Sequence, residues 1–163
     1  MVANSQSDER RELQILIVDD DVTQRMLLSQ TAKRCGHAVT EAASCAEALE
    51  RLKAARFDCV TLDLQLEDGC GLAVLDAMRA ARYAGHVIVI SGMDTLYRTA
   101  ARRYARWAGV EIRSFSKPID LAALRICLAD IGKTALGLPA MHSWGGIASD
   151  RIANQHRAAD PVE

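Results

Sequence analysis

The stretch that decides the fold is Ile15-Leu16-Ile17-Val18-Asp19-Asp20-Asp21, in which an apolar run ends directly in three acidic residues. A short run that is apolar almost throughout and ends in β-branched residues is typical of a parallel strand covered on both faces. Residues 23–35 then carry apolar side chains at helical spacing and stop at Gly36, a residue that tolerates the left-handed conformation after a helix. The segment therefore predicts a strand, an acidic turn and a helix.

The same unit recurs four more times along the chain. Short apolar runs predict further strands at residues 37–42, 57–62, 86–90 and 110–115. Each is followed by a predicted helix: one capped by Ser44, and others at 72–83, 94–108 and 120–131. Five such units in succession predict an α/β fold in which helices cover both faces of a parallel sheet.

Length and composition exclude several classes of protein. A chain of 163 residues, 50% hydrophobic and 25% charged, is typical of one globular domain. Its formal net charge of -1 provides no general attraction to nucleic acid or to an anionic membrane. Apolar runs such as 87–90 are far shorter than the ~20 residues of a membrane span. Because the N-terminus is polar and resembles no secretory signal, we predict a cytoplasmic protein without nucleic-acid or membrane contacts.

The two ends of the chain differ from its centre. Residues 1–12 are polar and are predicted to be flexible. Residues 133–163 lose regular periodicity, which predicts a C-terminal extension without a core of its own. The folded domain is therefore expected at residues 13–132. The five cysteines are scattered and form no C-x-x-C pair, so a disulfide framework or a zinc site is not predicted.

Polar residues follow the predicted strands at the points where a parallel α/β sheet gathers its ligands. Asp19 and Asp20 follow the first strand, Asp63 the third, Ser91 the fourth and Lys117 the fifth. Three carboxylates in one pocket repel one another, and a hard divalent cation with oxygen ligands relieves that repulsion. Mg²⁺ fits such a site. The lysine and the hydroxyl can then hold phosphoryl oxygens.

Five motif pieces, in this order and spacing, resemble the receiver domain of two-component response regulators. They are residues 15–21 with Arg25, residues 58–63, Gly71-Leu72, residues 89–92 and Lys117-Pro118-Ile119. The resemblance covers about residues 13–132. It implies a flavodoxin-like, CheY-like fold: a doubly wound, five-stranded parallel sheet with strand order 2-1-3-4-5 and helices on both faces.

By this resemblance, Asp63 is the phosphoacceptor. It would take a phosphoryl group from the phosphohistidine of a sensor histidine kinase or a phosphotransfer protein. Ser91 would bond a phosphoryl oxygen, and Lys117 would pair with Asp63 or with its phosphate. The peptide bond before Pro118 resembles the family's cis bond.

The resemblance also implies a set of ligands for Mg²⁺. Asp20 would contact the ion directly and Asp19 through water, while Asp63 and the backbone carbonyl of Gln65 would complete the protein ligands. Arg25 is interpreted as a structural arginine rather than as a site residue.

The sequence departs from the family pattern in three places. Glu67 stands where the family usually has Pro and Cys70 where it often has Asp, so we expect an unusual loop after the phosphoacceptor. Ser114 stands where an aromatic residue often rotates on activation, and Phe115 should lie on the opposite strand face. The segment 91–117 is several residues longer than in minimal receivers, and Ser91-Gly92-Met93-Asp94 with the arginine-rich helix after it resembles receivers fused to EAL-type cyclic-di-GMP phosphodiesterases.

The sequence favours a single-domain response regulator over several other functions. Haloacid-dehalogenase phosphatases also use an aspartate nucleophile and Mg²⁺, but they need a second Asp where this chain has Gln65. A receiver-like docking module that is never phosphorylated, and a stand-alone relative of EAL-type regulators, remain as alternatives. The chain is predicted not to be an enzyme beyond catalysing its own phosphorylation and dephosphorylation.

Signalling is predicted to run through contact with a downstream protein target. The surface formed by the fourth helix, fifth strand and fifth helix is the predicted reporter, and it could also form a homodimer. Trp107 and Leu96 lie near the ends of the fourth helix. Arg98, Arg102 and Arg106 share one of its faces and could meet phosphates or an acidic partner, or simply face solvent.

Overall fold

A computed structural model of the chain describes residues 11–92, 95–109 and 111–136. Strands and helices alternate along most of this length. The strands of the main sheet are β1 (Gln14–Val18), β2 (Ala38–Ala42), β3 (Cys59–Asp63), β6 (His86–Ser91) and β7 (Ile112–Ser116). The helices are α1 (Val22–Arg34), α2 (Cys45–Ala54), α3 (Gly71–Ala80), α4 (Thr95–Ala108) and α5 (Leu121–Ala135). Two further short strands are β4 (Gln65–Leu66) and β5 (Gly69–Cys70).

The main sheet has the order β2-β1-β3-β6-β7, and all of its neighbouring strands run parallel. Leaving out β4 and β5, this is the predicted order 2-1-3-4-5, so the flavodoxin-like topology is confirmed. Strands β4 and β5 form a separate antiparallel hairpin directly after β3. The sequence predicts an unusual loop at this place, and the structure shows that the loop is a hairpin.

The core has two layers, one on each face of the sheet. Leu16 and Val18 of β1 pack in a cluster with α2, α3 and α4. Ile15 and Ile17 point the other way and pack in a cluster with α1 and α5. Because successive side chains of a strand alternate between faces, this continuously apolar strand supplies both layers. The predicted cover of helices on both faces is confirmed.

Side-chain caps begin the helices beside the carboxyl edge of the sheet. Asp21 accepts a hydrogen bond from the amide of Gln24 and begins α1. Ser44 begins α2 as predicted: its hydroxyl accepts from the amide of Glu47, whose carboxylate accepts in turn from the amide of Ala43. The predicted cap of α4, Asp94, lies outside the described residues.

Helix α5 continues beyond the predicted domain boundary at residue 132 and ends at Ala135. Glycine within a helix costs about 1 kcal/mol relative to alanine, yet Gly132 lies inside α5. Ile131 is fully buried in the second core cluster, and that packing carries the helix through the glycine. Residues 137–163, most of the predicted extension, lie outside the described residues, as do residues 1–10 of the predicted flexible segment.

Two further findings concern the part of the chain that the structure describes. None of its helices combines the length and apolar character needed to cross a membrane. The four cysteines with described side chains, Cys35, Cys45, Cys59 and Cys127, form no disulfide bond.

Candidate functional site

Three carboxylates meet where β1 and β3 end side by side. The register pairs Val18 with Leu62, so Asp19 and Asp63 leave neighbouring strands at the same level. Asp20 joins them from the turn that follows β1. One oxygen from each of the three lies within 4.8 Å of the others, and Asp19 and Asp63 are only 1% and 3% exposed. The predicted acidic pocket is therefore present.

Lys117 supplies the positive charge of this pocket. Its Nζ donates to Oδ2 of Asp63 at 2.6 Å and lies 3.3 Å from Oδ2 of Asp19. Burial alone lowers the pKa of Lys117, but the hydrogen bond to Asp63 and the charge of Asp19 outweigh it, so the pKa is raised and the amine stays protonated. The peptide bond between Lys117 and Pro118 is cis, as the resemblance predicted.

Asp19 shows that the pocket suits a cation. Oδ1 of Asp19 accepts from the amide of Asp21 at 2.9 Å. Its buried Oδ2 lies 3.3 Å from Nζ of Lys117 and, among the described residues, accepts no hydrogen bond of good geometry. Desolvation raises the pKa of Asp19 despite the opposing Asp21 amide and Lys117. An all-oxygen set with an incompletely satisfied carboxylate fits a hard divalent ion such as Mg²⁺.

The other predicted site residues surround Asp63. The amide of Gln65 donates to Oδ1 of Asp63 at 2.9 Å, so each oxygen of that carboxylate has a donor. Ser91 lies one residue beyond Ile90, which pairs with Asp63 in the neighbouring strand, and is 1% exposed. The amide of Lys117 donates to the carbonyl of Ser91 at 2.9 Å, which joins the ends of β6 and β7 at the site.

Arg25 has a structural role next to the pocket, in agreement with its interpretation from the sequence. Its Nη1 donates to the backbone carbonyl of Asp19 at 2.7 Å and contacts that of Asp20 at 3.4 Å. Its Nε pairs with Glu41 at 3.3 Å. Arg25 therefore fixes the acidic turn through its backbone. Its place in the first turn of α1, directly after the acidic residues, is the signal in the sequence.

The hairpin β4–β5 supplies two sets of contacts that were not predicted from the sequence. The amide of Glu67 donates to Oδ2 of Asp20 at 2.9 Å. The carboxylate of Asp68 accepts from the amides of Cys45 and Ala46, and these two donors hold the pKa of Asp68 below its usual value. The pair Asp68-Gly69, typical of a tight turn, is the signal that could have predicted the hairpin.

Two aromatic residues of the predicted reporter surface, Trp107 and Phe115, have described contacts. The ring of Trp107 packs against α3, with the guanidinium of Arg79 3.9 Å from its centroid and Tyr104 edge-on at 6.1 Å. Trp107 therefore contacts α3. Phe115 packs in the second core cluster, whereas Ile112 on the other face of β7 packs in the first, so Ser114 and Phe115 occupy opposite faces as predicted. The side chains of Leu96 and Arg98 lie outside the description.

The sequence matches the family of response regulator receiver domains over residues 15–129, well over half of the chain. It is 37% identical over 82 residues to the acid tolerance regulatory protein ActR of Rhizobium meliloti, which covers 50% of this chain and 42% of that protein. It is 26% identical over 149 residues to the probable transcriptional regulatory protein TcrX of Mycobacterium tuberculosis, covering 91% and 64% respectively. The chain thus spans less than two thirds of these relatives.

Solved structures share the fold. The signal receiver domain of a putative LuxO repressor protein from Vibrio parahaemolyticus has a TM-score of 0.67 at 22% identity, covering 77% of this chain and 94% of that one. A CheY-like receiver domain protein from Methanospirillum hungatei has a TM-score of 0.64 at 24% identity, covering 76% and 99%. At these identities the likeness establishes the fold alone.

Proposed function

The chain belongs to the response regulator receiver domain family, and from that membership we propose that it accepts a phosphoryl group on Asp63 in a Mg²⁺-dependent phosphorelay. The observation that carries the proposal is the 2.6 Å hydrogen bond from Lys117 to Asp63 within a cluster of three carboxylates. Receiver domains act in signalling and interact with histidine kinases and downstream effectors. We also propose that the phosphoryl group comes from a sensor histidine kinase or from a phosphotransfer protein.

The reaction proposed at Asp63 is a phosphoryl transfer. A carboxylate oxygen of Asp63 forms a bond to phosphorus while the bond from phosphorus to the donor's imidazole nitrogen breaks, and the electron pair leaves with that nitrogen. Lys117 stays protonated and remains beside the new phosphoryl group as a fixed charge. The hydroxyl of Ser91 donates a hydrogen bond to a phosphoryl oxygen.

Mg²⁺ would be held by Asp19, Asp20, Asp63 and the backbone carbonyl of Gln65. When bound, the ion neutralises charge on the carboxylates and on the transferred phosphoryl oxygens. Two contacts within the chain position Asp19 and Asp20. Arg25 donates to the backbone carbonyl of Asp19 and holds the turn, and the amide of Glu67 donates to the carboxylate of Asp20 and orients it.

We expect weak Mg²⁺ binding that depends more on Asp20 than on Asp19. Asp19 is buried, with one oxygen on the Asp21 amide and the other beside Lys117, whereas Asp20 is partly exposed, as suits a ligand of an ion that keeps several waters. Calorimetric titration with MgCl₂ should show a loss of about tenfold or more for Asp20→Ala, and a smaller loss for Asp19→Ala. Wild-type affinity in both variants would place the ion elsewhere.

The lifetime of the phosphorylated state should depend on Gln65. Its side chain is exposed, and its Oε1 reaches to 3.4 Å from the position that a Cβ on Gly92 would occupy. A glutamine at the pocket can orient the attacking water, whereas Met93, which lies outside the described residues, can only exclude one. We expect Gln65→Ala to change the dephosphorylation rate more than Met93→Leu does, measured by loss of label after removal of the phosphodonor. Equal and negligible effects would contradict this role.

Labelling with acetyl phosphate tests the proposed function directly. The full chain should incorporate phosphate in the presence of MgCl₂ and lose that ability when EDTA is added. A chain that binds Mg²⁺ but is never labelled, by acetyl phosphate or by any kinase, would instead be the receiver-like docking module. We do not propose a haloacid-dehalogenase phosphatase, because Gln65 occupies the position of the second aspartate that these enzymes require.

Output is proposed to run by protein contact through α4, β7 and α5. The bond from Lys117 to the carbonyl of Ser91 supports this, because it links the site to the ends of β6 and β7, which border that surface. The exposed side chains of Arg102, Arg103 and Arg106 give α4 a cationic face suited to an acidic partner. A homodimer through the same surface stays a prediction; Trp107, one of its expected anchors, contacts Arg79 of α3 and is still 64% exposed.

A further inference from the structure

The turn of the hairpin connects the acidic pocket with the start of α2. Its two turn residues, Glu67 and Asp68, are adjacent in sequence, but Glu67 contacts the pocket and Asp68 contacts α2. The backbone amide of Glu67 donates to Oδ2 of Asp20 at 2.9 Å. The carboxylate of Asp68 accepts from the amide of Cys45 at 2.8 Å and from that of Ala46 at 3.1 Å. One dipeptide thus contacts both a proposed metal ligand and the first turn of a helix.

Both ends of this connection are supported by the core. Leu66, directly before the turn, is 7% exposed and packs in the first core cluster. In α2, Cys45 and Ala48 belong to the same cluster. Strand pairing of Gln65 with Cys70 closes the hairpin behind the turn. Since the helix is held by its own packing, a carboxylate bound to its first amides is a firm anchor for the turn.

We propose that Asp68 is a positioning residue for Asp20: it ties the hairpin turn to the start of α2 and thereby holds the Glu67 amide against the Asp20 carboxylate. The inference rests on the proposed Mg²⁺ site, to which Asp20 contributes. Asp20 is only partly buried, and a carboxylate without this amide is free to take other rotamers. The hydrogen bond therefore preorganises the ligand before the ion arrives.

The connection works in both directions. If the closed turn raises the affinity of Asp20 for Mg²⁺ by some factor, bound Mg²⁺ must favour the closed turn by the same factor. Loading of the site should therefore tighten the bonds from Cys45 and Ala46 to Asp68. This would carry the state of the pocket to α2, beside the β2 edge of the sheet, away from the α4, β7 and α5 surface.

The simpler alternative is that Asp68 is only an additional cap for α2. Ser44 separates the two ideas, because its hydroxyl also caps this helix, through the amide of Glu47, but does not contact the hairpin turn in the bonds described. Glu67→Gln provides the control for charge: it removes an exposed negative charge next to the pocket and leaves the backbone amide in place.

The test is a calorimetric MgCl₂ titration of the full chain and its variants, each checked for folding by circular dichroism. Asp68→Ala should weaken Mg²⁺ binding by about threefold to tenfold, the range expected for one net hydrogen bond. Asp68→Asn, which keeps the size of the side chain and one acceptor oxygen, should lie between Asp68→Ala and wild type. Ser44→Ala should bind Mg²⁺ as wild type does, and Glu67→Gln should lose less affinity than Asp68→Ala.

Amide hydrogen exchange gives a second measurement that a mere cap would not affect. Mg²⁺ should slow exchange at Cys45 and Ala46 in the wild type and in Ser44→Ala, by up to the factor lost in the titration, but not in Asp68→Ala. Wild-type Mg²⁺ affinity in Asp68→Ala, or an equal loss in Ser44→Ala or Glu67→Gln, overturns the positioning role. In that case the wild type still binds Mg²⁺ and only this inference fails, whereas a wild type that binds no Mg²⁺ defeats the proposed function as well.

Discussion

Replacing Asp63 with asparagine should abolish labelling of the protein by acetyl phosphate. Asp63 is the carboxylate to which Lys117 donates at 2.6 Å, and it lies 3% exposed within the acidic cluster. Asparagine fills nearly the same space but presents an amide, which cannot form the acyl phosphate. Because the nucleophile itself is removed, incorporation should fall to the background level. Radiolabelling or intact-protein mass spectrometry measures the result.

Asp76→Asn is the matched control for this experiment. Asp76 is an exposed carboxylate on α3, and the same chemical change there should leave labelling as in the wild type. Circular dichroism of the Asp63→Asn protein shows whether it is folded. Labelling of Asp63→Asn at the wild-type level would mean that the phosphoacceptor has been assigned to the wrong residue.

Replacing Gly71 with alanine should cause a large loss of stability. A Cβ on Gly71 would lie 2.5 Å from the carbonyl oxygen of Asp63 and 2.9 Å from Cα of Leu64. Both contacts are to backbone, so no flexible side chain can move aside. We expect the free energy of unfolding to fall by about 1–3 kcal/mol, the usual cost of forcing an extra carbon into a packed site. Urea denaturation monitored by circular dichroism measures this loss.

Gly132→Ala and Gly92→Ala are the controls for this experiment, because an added Cβ would meet less crowding at both positions. Gly132 lies inside α5, where a Cβ would come no closer than 3.9 Å to the carbonyl oxygen of Arg11, so Gly132→Ala should stabilise the protein by about 0.5–1 kcal/mol through helix propensity. At Gly92 the nearest atom is the end of the Gln65 side chain at 3.4 Å, and the effect should be small. Equal stabilities for Gly71→Ala and Gly92→Ala would contradict the steric argument.

Much of the site could be predicted because the topology alone brings its parts together. Asp19, Asp63, Ser91 and Lys117 each stand at or just after the carboxyl end of a strand, and the order β2-β1-β3-β6-β7 places these ends side by side. No knowledge of side-chain contacts is needed for that step. Strand periodicity and a family resemblance were sufficient to identify the acidic pocket and its lysine.

The contacts of Asp68, Arg25 and Trp107 could not be predicted in the same way, because their partners come from other parts of the chain or are backbone atoms. Asp68 binds the amides of Cys45 and Ala46, more than twenty positions earlier in the sequence. Arg25 acts on backbone carbonyls, which every residue has, so residue types do not reveal the partner. Trp107 has an exposed ring whose neighbour, Arg79, is known only once α3 and α4 are packed.

The sequence by itself determined the alternation of strands and helices, the two-sided core and the convergence of acidic residues with a lysine at one edge of the sheet. These follow from local periodicity and from the fixed geometry of parallel strands. Only the tertiary structure decided where α5 ends, how the chain turns after Asp63, and which groups orient Asp20. Those features depend on packing and on hydrogen bonds between distant segments, whose free energies exceed the small local preferences that a sequence pattern records.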